Sequence, residues 1–145
     1  MLALLSKVDE LHREALPWLL QETDEPDDFL QGFVSEPDHV ALLAIAPAES
    51  LAGILLAFIR ESTRNPILRP ARIAEIETLV VAPPFRRNGV GSTLVRAAFQ
   101  WADDSRATRT ELGVYDFNDA AVRFWLANGF QPLSRRLVLH AKQAR

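Results

Sequence analysis

Val81-Ala-Pro-Pro-Phe-Arg-Arg-Asn-Gly-Val-Gly-Ser-Thr93 joins an apolar, strand-like run to an amphipathic helix through a turn holding two arginines and two glycines. Pro83 and Pro84 lack the N–H that a β-ladder needs, so the strand stops before the turn. Glycine permits positive φ and lets a ligand approach the backbone closely. At a helix start the first N–H groups have no intrahelical acceptor, and the helix dipole adds partial positive charge. Phosphate is the ligand that such a junction suits best. The competing reading is a plain turn that begins a helix.

On the amino side of this turn, Ile73 to Val81 alternates as a strand, with Glu75, Glu77, Leu79 and Val81 on one face if no bulge intervenes. On its carboxyl side, Val90, Leu94, Ala97, Ala98 and Trp101 recur at helical spacing, which predicts a helix over Asn88 to Asp103. Thr110 to Val114 then fits a strand. Asn118 to Asn128 fits a helix, with Ala121, Phe124 and Trp125 inward and Gly129 as its C′ residue. Leu133 to His140 reads as a final strand.

Towards the N-terminus, Glu61 to Arg72 is a loop punctuated by Asn65-Pro66 and Pro70. Val40 to Ala46 and Leu51 to Ile59 predict an antiparallel hairpin. A short helix follows Pro26, with Phe29, Leu30 and Phe33 on one side, and Val8 to Leu20 carries a helical apolar stripe. Hairpins come first and strand–helix alternation second, so the sheet is expected to be mixed rather than all-parallel.

Composition sets the bounds. At 145 residues and 48% apolar content, residues 1–145 are expected to form one globular domain. No cysteine is present, which excludes disulfides and thiolate metal sites. Met1 to Leu5 is briefly apolar without a basic leader, and no run approaches a membrane span, so a cytoplasmic protein with no membrane partner is expected. A pI of 5.6 argues against nucleic acid. Charge is divided: residues 1–59 hold 11 acids and 2 bases, residues 60–145 hold 8 acids and 14 bases. His12, His39 and His140 lack ligand spacing, so no metal is expected.

Arg86-Arg-Asn-Gly-Val-Gly91 matches the Arg/Gln-x-x-Gly-x-Gly pattern that follows the central strand of GNAT-type N-acetyltransferases. About 30 residues later, Asn118-Asp-Ala-Ala-Val-Arg-Phe-Trp-Leu-Ala-Asn-Gly-Phe130 resembles that family's Asn-x-x-Ala-x-x-Phe-Tyr-x-x-x-Gly-Phe segment. Rival motifs fit less well. A dinucleotide fingerprint needs glycine where Leu94 stands, a Walker A loop needs a lysine, and Ser92 is not in a Gly-x-Ser-x-Gly elbow. The resemblance covers Ile73 to Phe130 well and the N-terminal helices only by layout.

The resemblance implies a mixed, mostly antiparallel central sheet flanked by helices, with a splayed strand pair that binds acetyl-CoA. By resemblance, the pyrophosphate of acetyl-CoA would lie on the N–H groups of Arg87, Asn88, Gly89, Val90, Gly91 and Ser92, with Arg86 and Arg87 adding charge. Backbone groups around Leu79 and Val81 would bind the pantetheine arm and polarise the thioester carbonyl. Asn118 would reach that arm, although a helix cap is its competing role. Glu77 stands where many members carry the base that accepts the amine proton through water; burial without a partner makes a carboxyl a better base. Glu75 is the lesser candidate, and an exposed strand face is the ordinary reading of both.

Trp125 replaces the family's tyrosine, and an indole N–H cannot supply a proton near neutral pH. Tyr115, the chain's single tyrosine, is the substitute acid, unless it merely covers a strand end. The expected reaction is direct attack of a primary amine on acetyl-CoA in a ternary complex. Two alternatives stay open: a non-catalytic acyl-CoA-binding module, and a nucleotide-binding domain of another type. Glu22, Asp24, Glu25, Asp27, Asp28, Glu36 and Asp38 crowd one segment and suggest a cationic small-molecule or peptide amine, or else a solvated face. Pairing of the final strand would make a homodimer, unless Arg135 and Arg136 blunt that edge.

Overall fold

Six consecutive residues of the second strand, Ala52 to Ala57, are buried, because helices cover both faces of the sheet there. The computed structural model describes residues 10, 12–20, 26–62 and 65–141. Helix α1 (Pro26–Ser35) leads to the hairpin of β1 (His39–Ala46) and β2 (Ser50–Glu61). Then come β3 (Arg72–Val81), α2 (Val90–Asp104), β4 (Arg109–Leu112) and α3 (Asp119–Ala127). The strands lie in the order β1-β2-β3-β4; β1, β2 and β3 are antiparallel neighbours, and β4 joins β3 in parallel. The expected mixed, mostly antiparallel sheet is present.

The core has two layers. On one face, Leu55, Ala57 and Ile76 pack with Leu94, Val95 and Ala98 of α2 and Trp125 of α3. On the other, Ile54, Leu56 and Val80 pack with Leu30 and Phe33 of α1. Ile54, Leu55, Leu56, Ile73 and Val95 are fully buried, each worth about 1.5–3 kcal/mol of transfer free energy. Phe29 of α1 was expected inward but is exposed, since the helix turns only its Leu30 and Phe33 stripe to the sheet.

Arg72 closes the sheet at the end remote from the turn that follows β3. Its guanidinium donates to Glu61 Oε1 at 2.7 Å, Asp38 Oδ1 at 3.1 Å and the Ser105 carbonyl at 2.7 Å. The hydrogen bond to Glu61 is the largest effect holding its pKa above the ordinary arginine value.

Three sequence expectations change. Leu56 pairs with Thr78 but Ala57 with Ile76, so Glu77 is a bulge with no counterpart on β2. One extra residue reverses the alternation. Ala74, Ile76 and Leu79 therefore lie on the α2 side, while Glu75 and Val80 lie on the α1 side. Leu79 thus does not share a face with Glu75. Second, the N-terminal helix is helical at residues 12–15 and ends in a turn over 17–19, because Pro17 disfavours helical geometry in the residue before it; its residues 8, 9 and 11 lie outside the described ones. Third, Leu133 to His140 is not a strand. Its contacts include Arg135 Nε to Asp116 Oδ2 at 3.3 Å, an exposed pair, and the His140 ring on Trp18.

Candidate functional site

The turn after β3 is a row of open donors. Pro83 to Phe85 forms one 3₁₀ turn, Arg87 has φ 64° and Gly89 has φ 79°. Gly89 is the N-cap of α2 and offers no side-chain cap, and the first turn holds no acid. The first bond of the helix runs from Thr93 N–H to the Gly89 carbonyl at 3.0 Å. Among the described residues, no protein acceptor takes the N–H groups of residues 87–92. An uncapped N-terminus with positive-φ residues before it is an anion-binding concavity.

Arg87 adopts the left-handed conformation at a cost of about 1–2 kcal/mol, as Asp38, Ala48, Glu49 and Arg106 also do. Arg86 Nε donates to the Val81 carbonyl at 3.0 Å and braces the turn against the strand end. Neither arginine makes an ion pair among the described residues. Arg87→Gly keeps the backbone turn and removes the guanidinium. It should lower CoA affinity about tenfold, as loss of a charge-assisted hydrogen bond does, without lowering the melting temperature; calorimetric titration and a thermal scan check both.

Gly91 bears on packing instead. A Cβ there would meet Phe124 Cε2 and Cζ at 3.1 Å, so its missing side chain seats α3 against the start of α2. Gly53 of β2 does the same from the sheet: a Cβ would lie 2.9 Å from the Val80 carbonyl oxygen, 3.0 Å from Leu94 Cδ1 and 3.3 Å from Val90 Cγ1. The sequence reading missed Gly53, and it placed Phe124 inward without its contact to Gly91, because only the folded packing shows what each touches.

Beside this turn the sheet forks. β3 and β4 pair from Ile73↔Arg109 to Ile76↔Leu112, and then part. β3 runs on to Val81, held by β2 alone through Leu79, Val80 and Val81, so its opposite edge has no strand beside it among the described residues. Glu77 sits at the start of this open edge. It is exposed, the ordinary reading of the two that the sequence left open, and makes no ion pair among the described residues. Glu75 is engaged instead: Arg60 Nε donates to its Oε2 at 2.9 Å, and Arg60 Nη2 donates to Glu111 Oε2 at 2.7 Å.

The remaining candidates separate. Asn118 caps α3, its Oδ1 accepting from the Ala121 N–H at 3.1 Å, so the capping role considered from the sequence is realised. Trp125 is 9% exposed and packs edge-on to Phe124 and Phe130 in the core. Tyr115 is 37% exposed, stacks on Phe117 at 5.6 Å and meets the edge of His12 at 5.1 Å. Tyr115 and Trp125 therefore occupy different environments. Of the acidic segment, Glu22, Asp24 and Glu25 lie outside the described residues, Asp28 and Glu36 are exposed, and Asp38 pairs with Arg72. An open depression lined by Glu10, Arg13, Glu14, Pro17 and Leu20 contains none of the motif residues. Among the described residues, no His/Cys/Asp/Glu group could hold a metal ion, and no helix is long and apolar enough to cross a membrane.

With this geometry in place, comparison with known proteins is informative. The sequence model of the acetyltransferase (GNAT) family matches residues 5–130. An aminoglycoside N(6′)-acetyltransferase type 1 from Klebsiella aerogenes is 31% identical over 115 residues, covering 79% of this chain and 74% of that protein. A mutant of the BH1408 protein from Bacillus halodurans superposes with a TM-score of 0.88 at 21% identity, over 96% of this chain and 90% of the other. The aminoglycoside N-acetyltransferase AAC(6′)-Iy, solved in complex with CoA, superposes with a TM-score of 0.66 at 20% identity, over 76% of this chain and 81% of the other. The open-donor turn, the fork and the family match agree: the chain belongs to the GNAT acetyltransferase family, and acetyl-CoA is its co-substrate.

Proposed function

We propose that this chain, as a single catalytic domain, moves the acetyl group of acetyl-CoA to a primary amine by direct attack in a ternary complex. The observation that carries this reading is the uncapped donor row at residues 87–92, set at the end of a strand whose opposite edge is open. The diphosphate would lie on that row and the pantetheine arm along the edge of residues 77–81. The amine nitrogen would then attack the thioester carbon, with Glu77 taking its proton through water. As the C–S bond breaks, the thiolate leaves. A thiol pKa near ~8.5 makes it a tolerable leaving group without a dedicated acid. Tyr115 is the residue we assign to any acid step, on its exposure and its place past the end of β4. Placing two substrates together would supply much of the rate.

For the acceptor we propose a polycationic aminosugar of the aminoglycoside type. Two things support this: the activity named for the Klebsiella relative, and the excess of acids in residues 1–59. A cytoplasmic location goes with this reading. A CoA-release assay over aminoglycosides and other amines tests it. Turnover is expected with 6′-amino aminoglycosides and not with neutral amines. The acceptor KM should rise several-fold between 0.05 and 0.5 M salt, as roughly expected when screening shortens the Debye length from above 10 Å to below 5 Å. Absence of turnover with every amine, or a salt-independent KM, would count against the acceptor assignment.

A further inference from the structure

Glu75 and Glu111 stand opposite each other in the parallel β3–β4 pair. Neighbouring strands are about 4.8 Å apart, and like charges in register repel. Arg60 resolves the conflict from a third strand. Its side chain reaches from β2 past β3, donating from Nε to Glu75 at 2.9 Å and from Nη2 to Glu111 at 2.7 Å. Arg109 Nε takes the other Glu111 oxygen at 2.6 Å, so that carboxylate is held on both sides. Arg60, Glu75 and Glu111 keep only 40%, 22% and 20% of their side-chain surface exposed. The rung they join is the last but one before the strands part. One guanidinium therefore ties three strands together at the crotch of the fork.

We propose that Arg60 is a positioning residue for acetyl-CoA: it pins the point at which β3 and β4 diverge, and so sets the width of the opening along residues 77–81. This rests on the acetyl-CoA reading above. Without Arg60, two carboxylates face each other with only Arg109 to offset them, and β4 moves away from β3. The donor row at residues 87–92 lies in the turn beyond the far end of β3 and in the start of α2, and Arg60 makes no hydrogen bond to it among the described residues. The two ends of acetyl-CoA should thus respond differently: the nucleotide end to the turn, the pantetheine arm to the clip.

Calorimetric titration of Arg60→Met with acetyl-CoA and with its nucleotide fragment, 3′-phosphoadenosine 5′-diphosphate, separates the two. Fragment affinity should stay within about twofold, while acetyl-CoA affinity falls about tenfold, the scale of one charge-assisted pair. Adding Glu75→Gln and Glu111→Gln should bring acetyl-CoA affinity back to within about threefold of the parent, because the facing charges are gone. A loss of packing alone would not be rescued in this way. Arg60→Lys, the variant to use if Arg60→Met does not fold, places a single point charge where a fork of donors stood and should lose about threefold. Unaltered acetyl-CoA affinity in the folded Arg60 variants, or a triple variant no better than Arg60→Met, overturns the clip alone. Failure of the unsubstituted protein to bind either ligand overturns the acetyl-CoA reading, and the clip with it.

Discussion

Replacing Glu77 with glutamine should lower kcat/KM for the amine about 100-fold at neutral pH, the lower part of the range for a positioned general base. That is about 3 kcal/mol of transition-state stabilisation. Glu77 is the bulge residue at the mouth of the fork, where β3 loses its β4 neighbour. No ion pair commits its carboxylate among the described residues, whereas Glu75 two residues earlier is held by Arg60. Glutamine keeps the size and removes the proton acceptor. Because glutamine keeps the backbone and the bulk of residue 77, where the pantetheine arm would begin, acetyl-CoA affinity should change less than twofold. The defect should also shrink as pH rises towards that of a free amine, about 10.4 for a lysine-like group, since the nucleophile then loses its proton unaided. Initial rates from pH 6 to 10 check this. A loss below threefold at every pH would remove Glu77 as the base.

Gly53→Val should be the most destabilising single change near the site, by about 3 kcal/mol, the upper end of overpacking costs. The reason lies in what surrounds the missing side chain. The nearest atom is the Val80 carbonyl oxygen at 2.9 Å, which is backbone and cannot swing aside, and Leu94 and Val90 close the remaining space. Val90 is the first residue of α2, so relief of the clash displaces the donor row. A fall in Tm on the order of 10 °C is expected for a chain of this size, together with weaker CoA binding in the protein that stays folded. Differential scanning calorimetry and titration measure the two effects. A Tm within 2 °C of the parent would mean that the helix start is not seated on β2 as described.

Local chemistry was legible in the sequence wherever neighbours along the chain decide the outcome. The proline stop after Val81, the Gly89 turn, the α2 stripe and the Asn118 cap with Gly129 beyond it all depend on residues within a turn or two of one another. The hairpin of β1 and β2 was legible for the same reason. The sequence left Glu77 between a buried and an exposed strand position, and the structure shows the exposed one. Alternation cannot reveal a bulge, because the extra residue is defined by the partner strand's register and not by its own neighbours. Leu133 to His140 has the composition of a strand, yet a strand exists only when a second one completes its ladder, and composition carries no information about that partner.

The amino-acid order by itself determined a glycine turn at the start of α2, a mixed sheet and the family resemblance, because each follows from short-range patterns. The tertiary structure alone decided which carboxylate at the fork has no ion-pair partner among the described residues and which is held by Arg60. Residues 60, 75 and 111 are far apart along the chain and meet only when three strands align. It also decided why Gly53 lacks a side chain and why one at Gly91 would press on Phe124, since steric exclusion is a property of what packs against a residue, and the packing exists only after folding.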